Sequence, residues 1–217
     1  MIRAVVFDLD GVIVDSEQVW NAVREELTHE RGGRWHGGAQ RDMMGMSSVE
    51  WSRYMHEQLA VPEPPAEISA QVVRRLEMRY RSALPLLPGA TEAVRRCAAR
   101  WPLGLASSAN REIIELVLEV SRLGPLFGAT VSSEEVARGK PAPDVYLEAS
   151  RRLGVAAVDS AAVEDSRSGI LAALAAGMRV IAIPNPHFPP DEETLAEAAV
   201  VLRSIEELTP EVVSTSA

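Results

Sequence analysis

Short β-favouring apolar runs recur along this chain, each closed by polar residues and followed by a stretch long enough for a helix. Ala4-Val5-Val6-Phe7 ends at Asp8-Leu9-Asp10-Gly11, Leu103 to Ala106 ends at Ser107-Ser108, and Ser160 to Val163 ends at Glu164-Asp165. Arg179 to Ile183 is stopped by Pro184, and Ala129-Thr130-Val131 reads as a further short strand. Helical spacing fills about 89–100, 110–122, 143–154 and 167–176, with Gly154 and Gly177 where helix C-caps belong. Continuous apolar strands alternating with helices predict an α/β fold, a Rossmann-like parallel sheet with helices on both faces. From Ser16 to Leu86 the alternation fails. Glu17 to Arg31, Val49 to Leu59 and Ala66 to Ala83 carry helical spacing, Pro62, Pro64 and Pro65 separate the last two, and Arg31 to Gly38 reads as a Gly-rich loop. The prediction is an α/β core of residues 1–15 and 87–217 with an inserted α-helical cap domain of residues 16–86, and a frayed tail over Ser214 to Ala217.

In open parallel sheets ligands bind beyond the carboxyl ends of the strands. Asp8, Asp10, Ser107, Ser108, Glu164 and Asp165 all fall there, and Lys140 follows the short strand in Gly139-Lys140-Pro141. Period-2 alternation turns Asp8 and Asp10 the same way and Leu9 the other. Clustered carboxylates repel unless a cation or a proton intervenes, and hard oxygen donors suit Mg²⁺. Asp8 and Asp165 are the expected direct ligands, with Glu164 as ligand or support. Two neighbouring carboxylates can divide labour between nucleophile and proton shuttle. Ser107, helped by backbone N–H groups at the next helix start, can hold a phosphate oxygen, and Lys140 can neutralise charge on the transferring group. Taken singly, Asp10-Gly11 is turn chemistry, Ser107 and Ser108 are N-caps, Lys140 is a surface lysine, and Glu164-Asp165 complements a helix dipole. The order of all four elements along the chain favours the site.

The set Asp8-Leu9-Asp10-Gly11-Val12, Ser107, Gly139-Lys140-Pro141-Ala142-Pro143-Asp144 and Glu164-Asp165-Ser166, with Gly169-Ile170, resembles the haloacid dehalogenase superfamily. Asp15-Ser16-Glu17 and the Ala172 to Gly177 run strengthen the likeness, which covers about residues 1–184 and points to the branch related to beta-phosphoglucomutase and its sugar-phosphate phosphatases. It implies that Asp8 attacks phosphorus to form an aspartyl-phosphate. It implies that Asp10 protonates the leaving group, then activates water, and lends its backbone carbonyl to the metal. Ser107 and Lys140 would bind the phosphoryl group, with Ser108 beside them, and Asn110 would orient phosphate or leaving group. Asp165 would ligate Mg²⁺ and Glu164 would belong to the same metal site. Met44-Gly45-Met46-Ser47-Ser48 resembles the cap loop that reaches the active site, so Gly45, Ser47, Ser48 and Trp20 are candidates for reading substrate. Beta-phosphoglucomutase has an arginine where this chain has Ser48 and a histidine where it has Trp20. Those departures favour a Mg²⁺-dependent phosphatase acting on a small phosphorylated metabolite, a sugar phosphate in particular. A beta-phosphoglucomutase-like phosphomutase and a non-catalytic module that keeps the fold are the alternatives. The expected hinge lies near Val14-Asp15-Ser16 and Leu86-Leu87-Pro88.

Composition bounds the partners. The charge is −9, from 22 Lys+Arg against 31 Asp+Glu, which argues against nucleic acid and anionic membranes but not against a small anion reached through a metal. No run approaches the ~20 apolar residues of a membrane span, and the N-terminal run, interrupted by Asp8 and Asp10, is not a signal peptide. A cytoplasmic monomer or weak dimer is the expectation. The lone Cys97 sits in an apolar-periodic run and reads as a core residue, and His29, His36, His56 and His187 do not share metal-ligand spacing.

Overall fold

The computed structural model describes residues 1–215; of the expected frayed tail, Ser214 ends a short helix and Thr215 caps it, and residues 216–217 lie outside the described residues. Six strands form one parallel sheet: β1 (Ala4–Phe7), β2 (Leu103–Ser107), β3 (Phe127–Ser132), β4 (Ser160–Glu164), β5 (Arg179–Ala182) and β6 (Val200–Val201), ordered β3-β2-β1-β4-β5-β6. The helices are α1 (Glu17–Glu30), α2 (Ala39–Met43), α3 (Ser48–Glu57), α4 (Pro65–Ser82), α5 (Ala90–Ala98), α6 (Arg111–Ser121), α7 (Asp144–Leu153), α8 (Arg167–Ala175), α9 (Glu192–Ala196) and α10 (Pro210–Ser214).

Alternation within the strands builds two cores. Val5 and Phe7 of β1 join Ala93, Val94 and Cys97 of α5 and Ile113, Ile114 and Val117 of α6 on one face. Val6 joins Val145, Tyr146 and Ala149 of α7 and Ile170 and Ala173 of α8 on the other. The strands are buried on both faces, which is why they read as unbroken apolar runs. Cys97 is fully buried, and burial pushes its thiol up to about 11, as suits a packing residue.

The strand-free segment is helical. In α4, Ile68, Val72, Leu76 and Tyr80 recur every fourth residue and are buried, facing Val23 and Leu27 of α1 and Trp51 and Met55 of α3. The two connections to the sheet lie side by side: Asp15 N–H donates to Pro85 O at 2.7 Å and Leu87 N–H to Ile13 O at 3.0 Å.

The sequence reading differs from the structure mainly in small elements. The strand at 129–131 extends over Phe127–Ser132, while β6, α2, α9 and α10 were not anticipated. These are two to five residues long. That is less than two turns of helix, or too short for alternation to show, so hydrophobic period carries no signal there. Among the described residues no helix is long and apolar enough to cross a membrane.

Candidate active site

The chain runs outward from β1 through β2 to β3, then returns to place β4 on the other side of β1. This reversal opens a crevice at the carboxyl ends of the central strands. Phe7 is in register with Val163, so Asp8 follows β1 level with Glu164 at the end of β4. Asp8 N–H donates to Val163 O at 3.0 Å, which ties the start of the acidic loop to the sheet. The turn then needs Gly11: its φ is +76°, and a Cβ there would lie 1.8 Å from an Asp165 carboxylate oxygen.

Lys140 reaches in from the loop before α7. Its Nζ donates to Asp8 Oδ1 at 2.7 Å and to Glu164 Oε1 at 2.5 Å, with all three side chains buried. Tyr146 Oη donates to the same Glu164 oxygen at 2.6 Å. The other Glu164 oxygen accepts from the Asp165 and Ser166 amides and from the Ser166 hydroxyl. Glu164 therefore sits in the acidic cluster but has both oxygens occupied by protein donors. There it anchors Lys140 and the Asp165 loop, and it remains one of three carboxylates close enough to share a cation, so both of its expected parts, ligand and support, stay open. Among the described residues the Asp165 carboxylate accepts only from the Asn185 side-chain amide, at 3.4 Å.

Asp10 is held from the helical side. Its Oδ1 accepts from the Ser16 hydroxyl at 2.5 Å and the Trp20 indole N–H at 3.2 Å, and its Oδ2 lies 3.5 Å from Ser107 Oγ. Ser107 is fully buried and accepts the Ala109 amide at 3.0 Å.

Electrostatics follow from burying several carboxylates with one lysine. Burial drives Asp8 up to about 8, with Glu164 and Asp10 adding to the rise and Lys140 opposing it. Burial likewise raises Asp10, against the hydrogen bonds from Ser16 and Trp20. Asp165 lies well above the carboxylate range through burial and the charges of Glu164 and Asp8. Burial works against the Lys140 ammonium, but Asp8 and Glu164 together outweigh it and raise its pKa.

A cavity of about 60 Å³ covers this floor. Asp8, Asp10, Lys140 and Asp165 line it from the sheet side, together with Ser108, Ala109, Ser166 and Ser168. Glu17, Trp20, Arg24, Met43, Met44, Gly45, Met46 and Trp51 close it from the helical side. Ser108 Oγ donates to Gly45 O at 3.4 Å across the gap.

Three expected residues lie elsewhere. Ser48 Oγ and Asn110 Nδ2 both donate to Glu134 Oε1, at 2.6 and 2.9 Å, and Ser47 is bound to Glu50 at the start of α3. Glu134 also accepts the Arg111 amide at 3.0 Å. The carboxylate draws these side chains into a latch between α3 and α6, away from the cavity. Conversely, Glu17, Arg24, Tyr146, Ser166, Ser168 and Asn185 were not anticipated as part of the site. Asn185 carried a readable signal, since it follows β5 in Pro184-Asn185-Pro186.

Comparison with known proteins gives a consistent picture. A family model for haloacid dehalogenase-like hydrolases matches residues 2–177. A probable pseudouridine-5'-phosphatase of Drosophila melanogaster is 33% identical over 213 residues, covering 95% of this chain and 91% of that protein. Hexitol phosphatase B of Escherichia coli K12 is 34% identical over 228 residues, covering 96% and 95%. The crystal structure of a CbbY variant from Rhodobacter sphaeroides with xylulose-(1,5)-bisphosphate superposes with a TM-score of 0.85 at 26% identity, covering 96% of each chain.

Proposed function

The chain belongs to the haloacid dehalogenase-like hydrolases and is a phosphoric monoester hydrolase, and from that premise we propose that it hydrolyses a small sugar-phosphate-type monoester with Mg²⁺ in two steps on Asp8. The observation that carries this reading is the pairing of Asp8, fixed by Lys140, with a separately held Asp10 in one covered cavity.

Asp8 attacks phosphorus with a carboxylate oxygen, and the ester P–O bond breaks. The leaving oxygen takes the proton of Asp10, whose raised pKa keeps it available as an acid. Asp10, now ionised, takes a proton from water as that water attacks the phosphorus of the aspartyl-phosphate. The P–O bond to Asp8 breaks and phosphate leaves. Ser16 and Trp20 fix one Asp10 oxygen, so the other carries the proton. Ser107 and Lys140 hold the transferring group.

The residues fit a hard divalent cation. Asp8, Glu164 and Asp165 offer carboxylate oxygens within 4.8 Å of one another, and Asp165 has no cationic partner among the described residues. With Glu164 occupied, Asp8, Asp165 and the Asp10 backbone carbonyl would hold Mg²⁺. When bound it supplies charge neutralisation for the carboxylates and the phosphate oxygens.

Residues 16–86 act as the cap, moving about the paired connections at 13–15 and 85–87, and closure excludes bulk water. The likeness to phosphatases of a nucleoside phosphate and a hexitol phosphate supports the substrate class. The test is hydrolysis of a phosphomonoester panel with and without EDTA. Activity is expected to need the metal and to fall ~10⁴-fold or more in Asp8→Asn. Metal-independent turnover, full activity in Asp8→Asn, or glucose 6-phosphate in place of free phosphate from beta-glucose 1-phosphate would overturn it.

A further inference from the structure

Arg24 stands out among the cavity residues. It is 6% exposed and lines the cavity from α1. Its guanidinium carbon lies 4.6 Å from the Trp20 ring centre and 4.9 Å from that of Trp51, and the two rings pack edge to face. Its Nε is buried with no hydrogen-bond partner, and among the described residues no carboxylate lies within ion-pair distance of the side chain. Burial pulls its pKa only to about 10, with Glu17 and Asp10 opposing, so it stays charged at neutral pH. A buried guanidinium with its Nε unpartnered is costly unless something binds it, and cation–π contact with two indoles replaces only part of its hydration. The Trp20 ring is held in place, because its N–H is bound to Asp10.

The position assigns a role. Lys140 serves the floor, where the phosphoryl group is transferred. Arg24 comes from the opposite wall, where the leaving group must point. A fork of N–H donors suits a planar or tetrahedral oxyanion. Arg24 lines the same cavity as Asp8 and Asp10, so an oxyanion held by it lies close to the ester.

Resting on the hydrolase reading above, we propose that Arg24 is the specificity determinant of this enzyme and binds an anionic group, a carboxylate or a second phosphate, on the leaving-group side of a short phosphomonoester.

A matched series tests this: glycerol 3-phosphate, 3-phosphoglycerate and glycerol 1,3-bisphosphate differ only in carrying a neutral, carboxylate or phosphate end. The wild-type enzyme should prefer at least one anionic member over glycerol 3-phosphate by ~10–100-fold in kcat/KM, the range for a hydrogen-bonded charge. The arm that wins names the anion. Arg24→Leu should erase the preference, and Arg24→Lys should keep part of it. A wild-type enzyme without the preference overturns the proposal. So does an Arg24→Leu variant that keeps the ratio, or one that lowers all three substrates equally, as a mere counter-charge to Asp10 and Glu17 would. If substituted proteins do not fold, the wild-type ratios alone decide. A binding measurement separates this from failure of the hydrolase reading. In Asp8→Asn, which does not turn over, tryptophan emission titrated with each of the three should saturate at lower concentration for at least one anionic member than for glycerol 3-phosphate. Equal or absent saturation overturns the assignment whatever the activity screen shows.

Discussion

The two walls of the cavity are built on opposite principles. On the sheet side every charged group has a named partner: Lys140 bridges Asp8 and Glu164, Tyr146 and two amides complete Glu164, and Asn185 reaches Asp165. On the helical side a buried arginine lines the cavity with its Nε unpartnered among the described residues, framed by Trp20, Trp51 and three methionines. A fully partnered wall is preorganised and indifferent to what the ester carries. A wall with an unmet donor set is completed only by the ligand. On the proposed reading, reaction and selection are separated by the element that supplies the residues.

Changes on the sheet side should have the largest effects. Beyond the loss of the nucleophile, Lys140→Met leaves Asp8 and Glu164 buried together without their shared cation. Turnover should fall ~10²–10³-fold, and metal-free stability should fall by about 3–5 kcal/mol, as when a buried pair loses one partner. Near-normal kcat with an unchanged denaturation midpoint would show that the sheet-side network is not held by Lys140.

At the seam between the walls, Trp20→Phe keeps a ring near Arg24 but removes the indole N–H from Asp10. A ~10-fold fall in kcat is expected. Because that bond opposes the rise of the Asp10 pKa, the alkaline limb of the kcat/KM–pH profile, which reports the protonated acid, should move upward. An unmoved profile would mean the contact is packing alone.

The pH dependence of stability probes the same asymmetry without substitution. Asp8, Asp10 and Asp165 all have folded pKa values raised from 3.8, Asp8 to about 8. Between pH 4 and 8 the metal-free folded chain therefore holds protons that the unfolded chain has released, and stability falls as pH rises. Tm measured in EDTA should be higher at pH 5 than at pH 8, and saturating Mg²⁺ should flatten the trend by stabilising most at the alkaline end. A metal-free Tm that rises over this window would contradict the upward shift of these carboxyls by burial.

The smallest effect is expected at the helical loop. Gly45 has φ +73°, and a Cβ would come within 2.2 Å of Ser168 Oγ. Gly45→Ala should raise KM by about 3–10-fold, or reorder substrates, through displacement of that loop. Aspartyl-phosphate formation from acetyl phosphate in a single turnover should survive. Loss of both together would place Gly45 with the sheet-side machinery.

What the sequence made legible follows the same division. Asp8, Asp10 and Asp165 were readable because strand ends are marked by abrupt polar residues and parallel topology gathers strand ends, and Lys140, in the loop before α7, through its Gly139-Lys140-Pro141 motif. Arg24 was not, because a charged residue four positions after Trp20 on a helix reads as a solvated face. Only the packing of α1 against α3 shows it between two indoles. Ser48 and Asn110 were misplaced for a related reason. Their direction is set by Glu134, 86 and 24 residues away along the chain, a pairing that no local pattern encodes. Short elements such as α2 and β6 were missed because tertiary contacts, not periodicity, define them.

The ribbon formed by the two connections has a consequence for lineage. Asp15 and Pro85 are one hydrogen bond apart, so the sheet meets the whole intervening segment as though it were a single tight loop. Descendants can therefore trade one roof for another, longer or shorter, without the foundation registering the exchange. Selectivity in such enzymes can diversify much faster than their chemistry.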